Sequence, residues 1–292
     1  MIRSWLFVPA DSQAKLAKAE SLGADAIILD LEDAVAINAK ESARHAAAEY
    51  LRKHASARFA QLWVRINPLD GIYALDDLDA IVGARPDGII LPKSNGAVDV
   101  ATVARRIDAL ETRADIPAGT IKVIPITSET AISLFAFGSY GQERPARLAG
   151  LTWGAEDLPG AVGASMNRFP DGSFTDLAKM ARTLTVAGAA AADVPAIETV
   201  YPSFRDLDGL RTFAAQSRRE GFTGMLAIHP SQVSVINEVF TPTADEIAHA
   251  QRIVEAFAAK PGAGVLNLDG KMFDAPHLKL AERLLQGVRR TG

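Results

Sequence analysis

Cysteine is absent from the 292 residues, which excludes disulfides, thiolate zinc sites and a cysteine nucleophile together. Any metal must therefore take oxygen or imidazole ligands, and the absence fits a reducing compartment. A large excess of charge of one sign is also lacking. The formal net charge is −4 and the basic residues are dispersed, so neither nucleic acid nor an anionic membrane is expected as a partner. No apolar run approaches the roughly 18 residues of a membrane span. Met1-Ile2-Arg3-Ser4-Trp5 enters a strand-like run at once, without a basic-then-apolar leader. The expectation is a cytoplasmic protein that handles small molecules. Aromatic residues make up only 7%, yet hydrophobic residues reach 48% with a mean hydropathy of +0.08, enough to build a large core and to argue against disorder.

Eight short apolar runs punctuate the chain: Trp5 to Val8, Ala26 to Leu31, Leu62 to Ile66, Gly88 to Leu91, Lys122 to Ile126, Leu148 to Trp153, Ile197 to Tyr201 and Met225 to Ile228. Helix-like segments separate them. Leu177, Met180, Leu184, Ala187 and Ala191 recur at helical spacing behind a start expected at Ser173. Strands alternating with helices imply a parallel sheet, and continuously apolar strands suit one covered on both faces. Eight units favour closure, so the spacing predicts a (β/α)8 TIM barrel over residues 1–240. Thr241-Pro242-Thr243 suits the start of a further helix near Ala244 to Ala259. An irregular segment from Pro261 to Pro276 is a candidate lid, and a last helix is expected from His277 to about Val288. Residues 241–292 thus form a C-terminal helical extension with a lid.

Carboxylates end at least three of the runs, and acids at the strand tips of a parallel barrel converge on one mouth. Glu129 and Asp157 are separated by about one βα unit, which places them on adjacent tips. Two carboxylates with open positions for water and substrate oxygens match Mg²⁺. Leu29-Asp30-Leu31-Glu32-Asp33 brings three more acids to the second tip. Asp30 and Glu32 are candidate catalytic groups, while a buried ion pair would explain Asp30 and Asp33 equally well. Arg65, ending Trp63-Val64-Arg65, is placed to bind a substrate carboxylate or carbonyl and to stabilise oxyanion charge. Lys93 also ends a strand; a Schiff-base nucleophile competes there with an ion-pair partner for the neighbouring acids, and the second is preferred. His229 admits an acid–base role or a structural one. Lys15 and Lys18 lie opposite the apolar positions of the first helix, where they can meet the phosphates of a large anionic substrate. Ala155 and Glu156, beside Asp157, join Lys15, Lys18 and Arg65 as candidate substrate contacts.

Together the motifs Arg3-Ser4-Trp5-Leu6-Phe7-Val8-Pro9, Leu29-Asp30-Leu31-Glu32-Asp33-Ala34-Val35, Val64-Arg65-Ile66-Asn67, Leu91-Pro92-Lys93, Glu129-Thr130-Ala131, Gly154-Ala155-Glu156-Asp157-Leu158, Ala227-Ile228-His229-Pro230-Ser231-Gln232 and Gly270-Lys271-Met272-Phe273-Asp274 carry a resemblance. In this order, over almost the whole chain, the sequence resembles the citrate lyase β-subunit family of CoA-ester lyases, with the malyl-CoA and citramalyl-CoA lyases of the HpcH/HpaI aldolase superfamily.

The resemblance implies that Glu129 and Asp157 hold magnesium, that Arg65 binds substrate, and that Phe7 and Lys18 lie near CoA. It also implies a catalytic role for Asp274, supplied by the lid of a neighbouring subunit in a homotrimer or pair of trimers. The implied reaction is Mg²⁺-dependent carbon–carbon cleavage of citryl-, citramalyl- or malyl-CoA to acetyl-CoA and a 2-oxo acid. An acyl-carrier partner replaces CoA if the chain works in a citrate lyase complex. Three other readings stay open: a malyl-CoA or citramalyl-CoA thioesterase, a CoA-independent aldolase of 2-oxo acids, and a non-catalytic partner-binding subunit. The chain departs from the family pattern at Pro9-Ala10, and at Ala14, where Lys15 is the available substitute. It also departs at Thr127-Ser128 and Ile132-Ser133, changes expected to reshape the substrate end of the pocket.

Overall fold

A computed structural model of the chain describes residues 2–289. Eight parallel strands alternate with helices. The strands are β1 (Ser4–Pro9), β2 (Ala26–Asp30), β3 (Gln61–Arg65), β4 (Gly88–Leu91), β5 (Lys122–Pro125), β6 (Leu151–Thr152), β7 (Ala196–Glu198) and β8 (Gly224–Ala227). Their order in the sheet, β5-β4-β3-β2-β1-β8-β7-β6, leaves β5 and β6 at its two ends. Parallel bridges Val123 to Leu148 and Ile126 to Thr152 join those ends, so the sheet closes as the expected barrel. All eight strands fall within or beside the runs read from sequence. The sixth is the shortest because regular pairing there shrinks to two residues flanked by bridges.

Between and after the strands lie α1 (Gln13–Ala19), α2 (Lys40–Lys53), α3 (Ala74–Ile81), α4 (Ala97–Arg113), α5 (Phe137–Glu143), α6 (Asp157–Val162), α7 (Asp176–Ala192), α8 (Leu207–Arg219) and α9 (Pro230–Phe240). No described helix is long and apolar enough to cross a membrane.

Alternation along each strand decides what fills the barrel. Trp5, Ala26, Ile28, Trp63, Ile90, Ile124, Ile126, Ile197 and Leu226 form one buried cluster, as expected for inward side chains two residues apart. Trp5 and Trp63 meet edge to face with centroids 5.2 Å apart. Trp63 sits in register with Gly88, and a Cβ on Gly88 would lie 2.2 Å from the indole. Two tryptophans fit in one barrel because β4 carries no side chain at that point.

Helix α7 begins later, and turns differently, than its periodicity suggests. Thr175 is the N-cap, its hydroxyl accepting from the Ala178 amide, while Ser173 is tied instead to the Asp171 carboxylate. The buried stripe is Ala178, Ala181, Thr185, Gly188 and Ala189, whereas Met180, Ala187 and Ala191 are exposed. A helix this rich in alanine offers two apolar stripes, and the smaller one allows close approach to neighbours. A Cβ on Gly188 would lie 3.2 Å from the Phe137 carbonyl oxygen of α5.

The described chain divides into two compact units, residues 2–237 and residues from Glu238 onward. The second contains α10 (Ala244–Ala258), β9 (Val265–Leu268), β10 (Lys271–Asp274) and α11 (Ala275–Arg289). Thr243 caps α10 through a reciprocal pair of bonds with Glu246. The Pro261 to Pro276 segment, expected to be irregular, holds an antiparallel hairpin with Leu268 paired to Lys271. Its turn is Asp269-Gly270, with φ of 53° and 79°. Asp-Gly is among the few dipeptides that adopt two positive φ values at low cost, a signal present in the sequence and passed over there. Ala250, Ile253, Phe273 and Ala281 make this unit's core.

Candidate active site

The barrel register builds the mouth. Asp30 is the Cα partner of Arg65, and Phe7 of Ile28. Ala26, Ile28 and Asp30 share the inward face of β2, as Trp63 and Arg65 share that of β3. At the level where the apolar core ends, an acid and an arginine therefore meet. Arg65 donates from Nε to Asp30 Oδ1 at 2.7 Å and from Nη2 to Oδ2 at 2.6 Å. Its Nη1 lies 2.9 Å from Glu32 Oε2, and its guanidinium carbon sits 4.7 Å from the Phe7 ring centroid. Burial opposes the guanidinium charge, but the hydrogen bond and charge of Asp30, with the charges of Glu32 and Asp33, outweigh it and hold the pKa above its ordinary value. Arginine has five N–H donors; two are hydrogen-bonded to Asp30, so Arg65 keeps donors for a ligand.

Glu32 is the hinge of a second pair. Its Oε1 accepts from Lys93 Nζ at 2.5 Å. Lys40 Nζ donates to the carbonyls of Leu31 and Glu32 at 2.8 and 2.7 Å, which pins the turn after β2. Burial pushes the Glu32 carboxyl up despite Arg65 and Lys93. Burial alone would lower the Lys93 pKa, but the Glu32 hydrogen bond and the charges of Glu32, Glu129 and Asp33 raise it. A lysine held protonated is an ion-pair partner, and the structure thus favours that reading over the nucleophile.

Lys93 also adopts φ 50°, a left-handed conformation that costs a residue with a side chain roughly 1–2 kcal/mol. There its backbone N–H donates to Glu129 Oε2 at 2.6 Å, while its Nζ lies 3.9 Å from Asp157 Oδ1. One residue touches both candidate metal ligands. Glu129 is further confined by Gly154, on which a Cβ would lie 2.5 Å from Glu129 Cγ. Ser128 stitches the two tips, its hydroxyl accepting from Gly154 N at 3.1 Å and donating to Gly154 O at 3.2 Å. Thr127 Oγ1 donates to the Thr152 carbonyl at 2.8 Å. Thr127 and Ser128 are buried and absent from the cavity lining. They were expected to reshape the substrate end; instead they fasten β5 to β6.

A cavity of about 670 Å³ opens at this mouth and is lined by Phe7, Lys15, Lys18, Asp30, Asp33, Arg65, Glu129, Ala155, Glu156 and Asp157, with Ile126, Thr199, Val200, Leu226 and His229. That volume suits a small-molecule ligand. The sequence candidates of the barrel are thus brought together, with Glu32 behind the lining as partner to Arg65 and Lys93. Lys15 and Lys18 stand on the exposed face of α1. Glu156 and the Ala155 carbonyl both accept from Asn167 Nδ2 at 3.0 Å. His229 Nδ1 is 2.8 Å from Ser231 Oγ and its ring stacks on Phe204 at 4.7 Å. Asp274 belongs to the C-terminal unit, on β10, where its carboxylate lies 2.5 Å from His277 Nδ1.

One acid went unremarked in the sequence. Glu198, fully buried at the end of β7, accepts from Trp153 Nε1 at 2.6 Å, Arg182 Nε at 2.7 Å and its neighbour's amide at 2.8 Å. It anchors the residue just before Gly154. The available signal was a carboxylate inside the otherwise apolar Ala196-Ile197-Glu198 run.

The donor set fits a divalent cation. Burial first, then the charges of Asp157 and Glu32, push Glu129 up to about 8, with only Lys93 opposing. A buried carboxylate held in place yet short of positive charge is suited to a hard cation. Among the described residues no group of three or more histidine, aspartate and glutamate side chains converges. Mg²⁺ commonly takes one or two carboxylates and leaves the remaining positions to water and substrate, so Glu129 and Asp157 suffice.

The chain is similar to known proteins in sequence and in fold. The sequence profile of the HpcH/HpaI aldolase/citrate lyase family matches residues 3–230. Citrate lyase subunit beta of Haemophilus influenzae is 35% identical over 98% of this chain and 97% of its own length. A (3S)-malyl-CoA thioesterase of Cereibacter sphaeroides is 34% identical over 97% of this chain and 93% of its own. Among solved structures, CitE of Mycobacterium tuberculosis in complex with magnesium, acetoacetate and coenzyme A superposes with a TM-score of 0.78 at 30% identity, covering 97% of each chain.

Proposed function

The chain belongs to the HpcH/HpaI aldolase/citrate lyase family, and from that premise we propose that it is a Mg²⁺-dependent lyase cleaving the C2–C3 bond of a 3-hydroxyacyl-CoA. The products are acetyl-CoA and a 2-oxo acid. The observation that carries this reading is the convergence of Glu129, Asp157 and Arg65 on one cavity whose rim bears Lys15 and Lys18.

Glu129 and Asp157 would hold the metal, which when bound supplies Lewis-acid stabilisation to the oxygen that becomes the ketone. As C2–C3 breaks, the C3 hydroxyl passes its proton to water at the mouth and the bonding pair passes into the thioester as an enolate. Arg65 offers its remaining donors to that developing negative charge, and Asp30 and Glu32 fix the plane of the guanidinium so that little reorganisation is needed. Asp30 and Glu32 are therefore positioning residues in this reading. Lys93 pairs with Glu32 through its ammonium and places Glu129 through its backbone N–H. Phe7 and Arg65 form one wall, and Lys15 and Lys18 meet CoA phosphates as point charges. Asp274 of a neighbouring subunit, as the family resemblance implies, would deliver a proton to the enolate carbon, or remove one from acetyl-CoA in reverse.

A second reading, hydrolysis of the thioester at the same site, is favoured by the 34% identity to a malyl-CoA thioesterase. One assay separates the two. Purified protein is given malyl-, citramalyl- and citryl-CoA with Mg²⁺, and acetyl-CoA, 2-oxo acid and free thiol are followed separately. Acetyl-CoA with oxo acid is the outcome expected; free thiol with intact hydroxy acid would replace the lyase with the thioesterase. Asp274→Asn retaining full activity would remove the proton-transfer role.

A further inference from the structure

The cavity is polar at its rim and apolar at its floor. Phe7, Ile126, Val200 and Leu226 line it and also belong to, or pack against, the hydrophobic cluster that fills the barrel. Ile126 stands three residues before Glu129 on the same strand tip. A substrate held at Glu129 and Asp157 would have its remaining C3 substituent within reach of this hydrocarbon.

The charges on the lining sharpen this. Among the described residues that line the cavity, the lysines and arginines are Arg65, Lys15 and Lys18. Arg65 is already engaged by Asp30 and Glu32, and its remaining donors serve the thioester end. Lys15 and Lys18 are exposed on α1. His229 engages Ser231 through Nδ1. Five acids, Asp30, Asp33, Glu129, Glu156 and Asp157, share the same lining. A second carboxylate on the acyl chain would enter an apolar floor beside like charges with no cation assigned to it, which is costly. Thr127 and Ser128 are bonded elsewhere, which leaves Thr199 as the hydroxyl residue of the described lining.

Resting on the lyase reading, we infer that this site selects 3-hydroxyacyl thioesters bearing a small alkyl group at C3, so that the oxo acid released is an alkyl 2-oxo acid of the pyruvate type rather than a dicarboxylate. A methyl group filling the floor also distinguishes such a substrate from one bearing hydrogen there. One methylene in an apolar pocket is worth roughly 10- to 200-fold in kcat/KM.

The test compares kcat/KM of the full chain with Mg²⁺ for citramalyl-, malyl- and citryl-CoA. In parallel, calorimetry follows Mg²⁺-dependent binding of pyruvate, glyoxylate and oxaloacetate to the unreacted protein. Citramalyl-CoA is expected to exceed each of the others by about tenfold or more, and pyruvate to bind tightest. Citryl-CoA or malyl-CoA equal to or better than citramalyl-CoA would overturn the inference, as would oxaloacetate or glyoxylate binding as tightly as pyruvate. If no thioester is cleaved between carbons, the lyase reading falls, and pyruvate binding preferentially would still uphold the selection of an alkyl substituent. Val200→Lys supplies a cation at the floor and should narrow the citramalyl-to-citryl ratio. A folded Val200→Lys protein with an unchanged ratio would overturn the assignment of the floor to the substituent, and if that variant does not fold, the wild-type ratios decide.

Discussion

Asp30 and Arg65 are register partners on adjacent parallel strands, and their inward side chains close a two-point ion pair at 2.7 and 2.6 Å. The pair follows from the pairing register, since a slip of either strand by one residue would send its own group to the opposite face.

That relationship predicts different outcomes for its two members. Arg65→Lys keeps a charge but loses the planar fork, so kcat should fall about 10²-fold or more while the melting temperature changes little. Asp30→Ala leaves a buried guanidinium short of its main partner and should destabilise the fold by roughly 3–5 kcal/mol in urea titration. Equal loss of stability in both variants would count against the division of roles.

Glu129 predicts a pH effect with a defined sign. Its pKa is raised from 4.5 to about 8 by burial and by the charges of Asp157 and Glu32. Across that window the folded chain keeps a proton that the unfolded chain has released. The resulting stabilisation is complete below 4.5 and is lost as pH rises through about 8. Melting of the metal-free protein should therefore fall over this range through this group, Glu129→Gln should flatten that fall, and Mg²⁺ should reverse it with an affinity that rises with pH. Melting curves at a series of pH values with and without Mg²⁺ decide it, and a Glu129→Gln protein with the unchanged pH profile would contradict the assignment.

Gly154→Ala places a methyl group 2.5 Å from Glu129 Cγ. The carboxylate must move, and Mg²⁺ affinity should drop about 10- to 100-fold, the usual scale for losing support around a metal ligand. Calorimetry with Mg²⁺ on the folded variant reads this directly, and parental affinity would show that the close approach is irrelevant.

Lys93 should not form an imine. Its ammonium is bonded to Glu32 and its pKa is raised, so borohydride added with pyruvate should leave the protein mass unchanged. A stable adduct on Lys93 would restore the Schiff-base mechanism.

Much of this was legible in the linear sequence because burial is written locally. Strands covered on both faces must be continuously apolar, so eight runs announced eight strands, and acids ending those runs announced the mouth. The capped start of α10 was readable for the same reason: Thr243 and Glu246 lie within one turn. Helix α7 was misread because alanine is small and apolar at once, so its periodicity points two ways.

By itself, then, the sequence determined the number and kind of elements, the barrel as the economical closure, and the side chains available at the strand tips. Tertiary structure alone decided that Arg65 faces both Asp30 and Glu32, that Lys93 turns left-handed to place Glu129, that Gly154 makes room for that carboxylate, and that Ser128 fastens two tips rather than lining the cavity. Periodicity records whether a residue is buried, a property of its own position. Partners far apart in sequence are chosen by register and by the space neighbouring elements leave, and those quantities exist only once the sheet has closed.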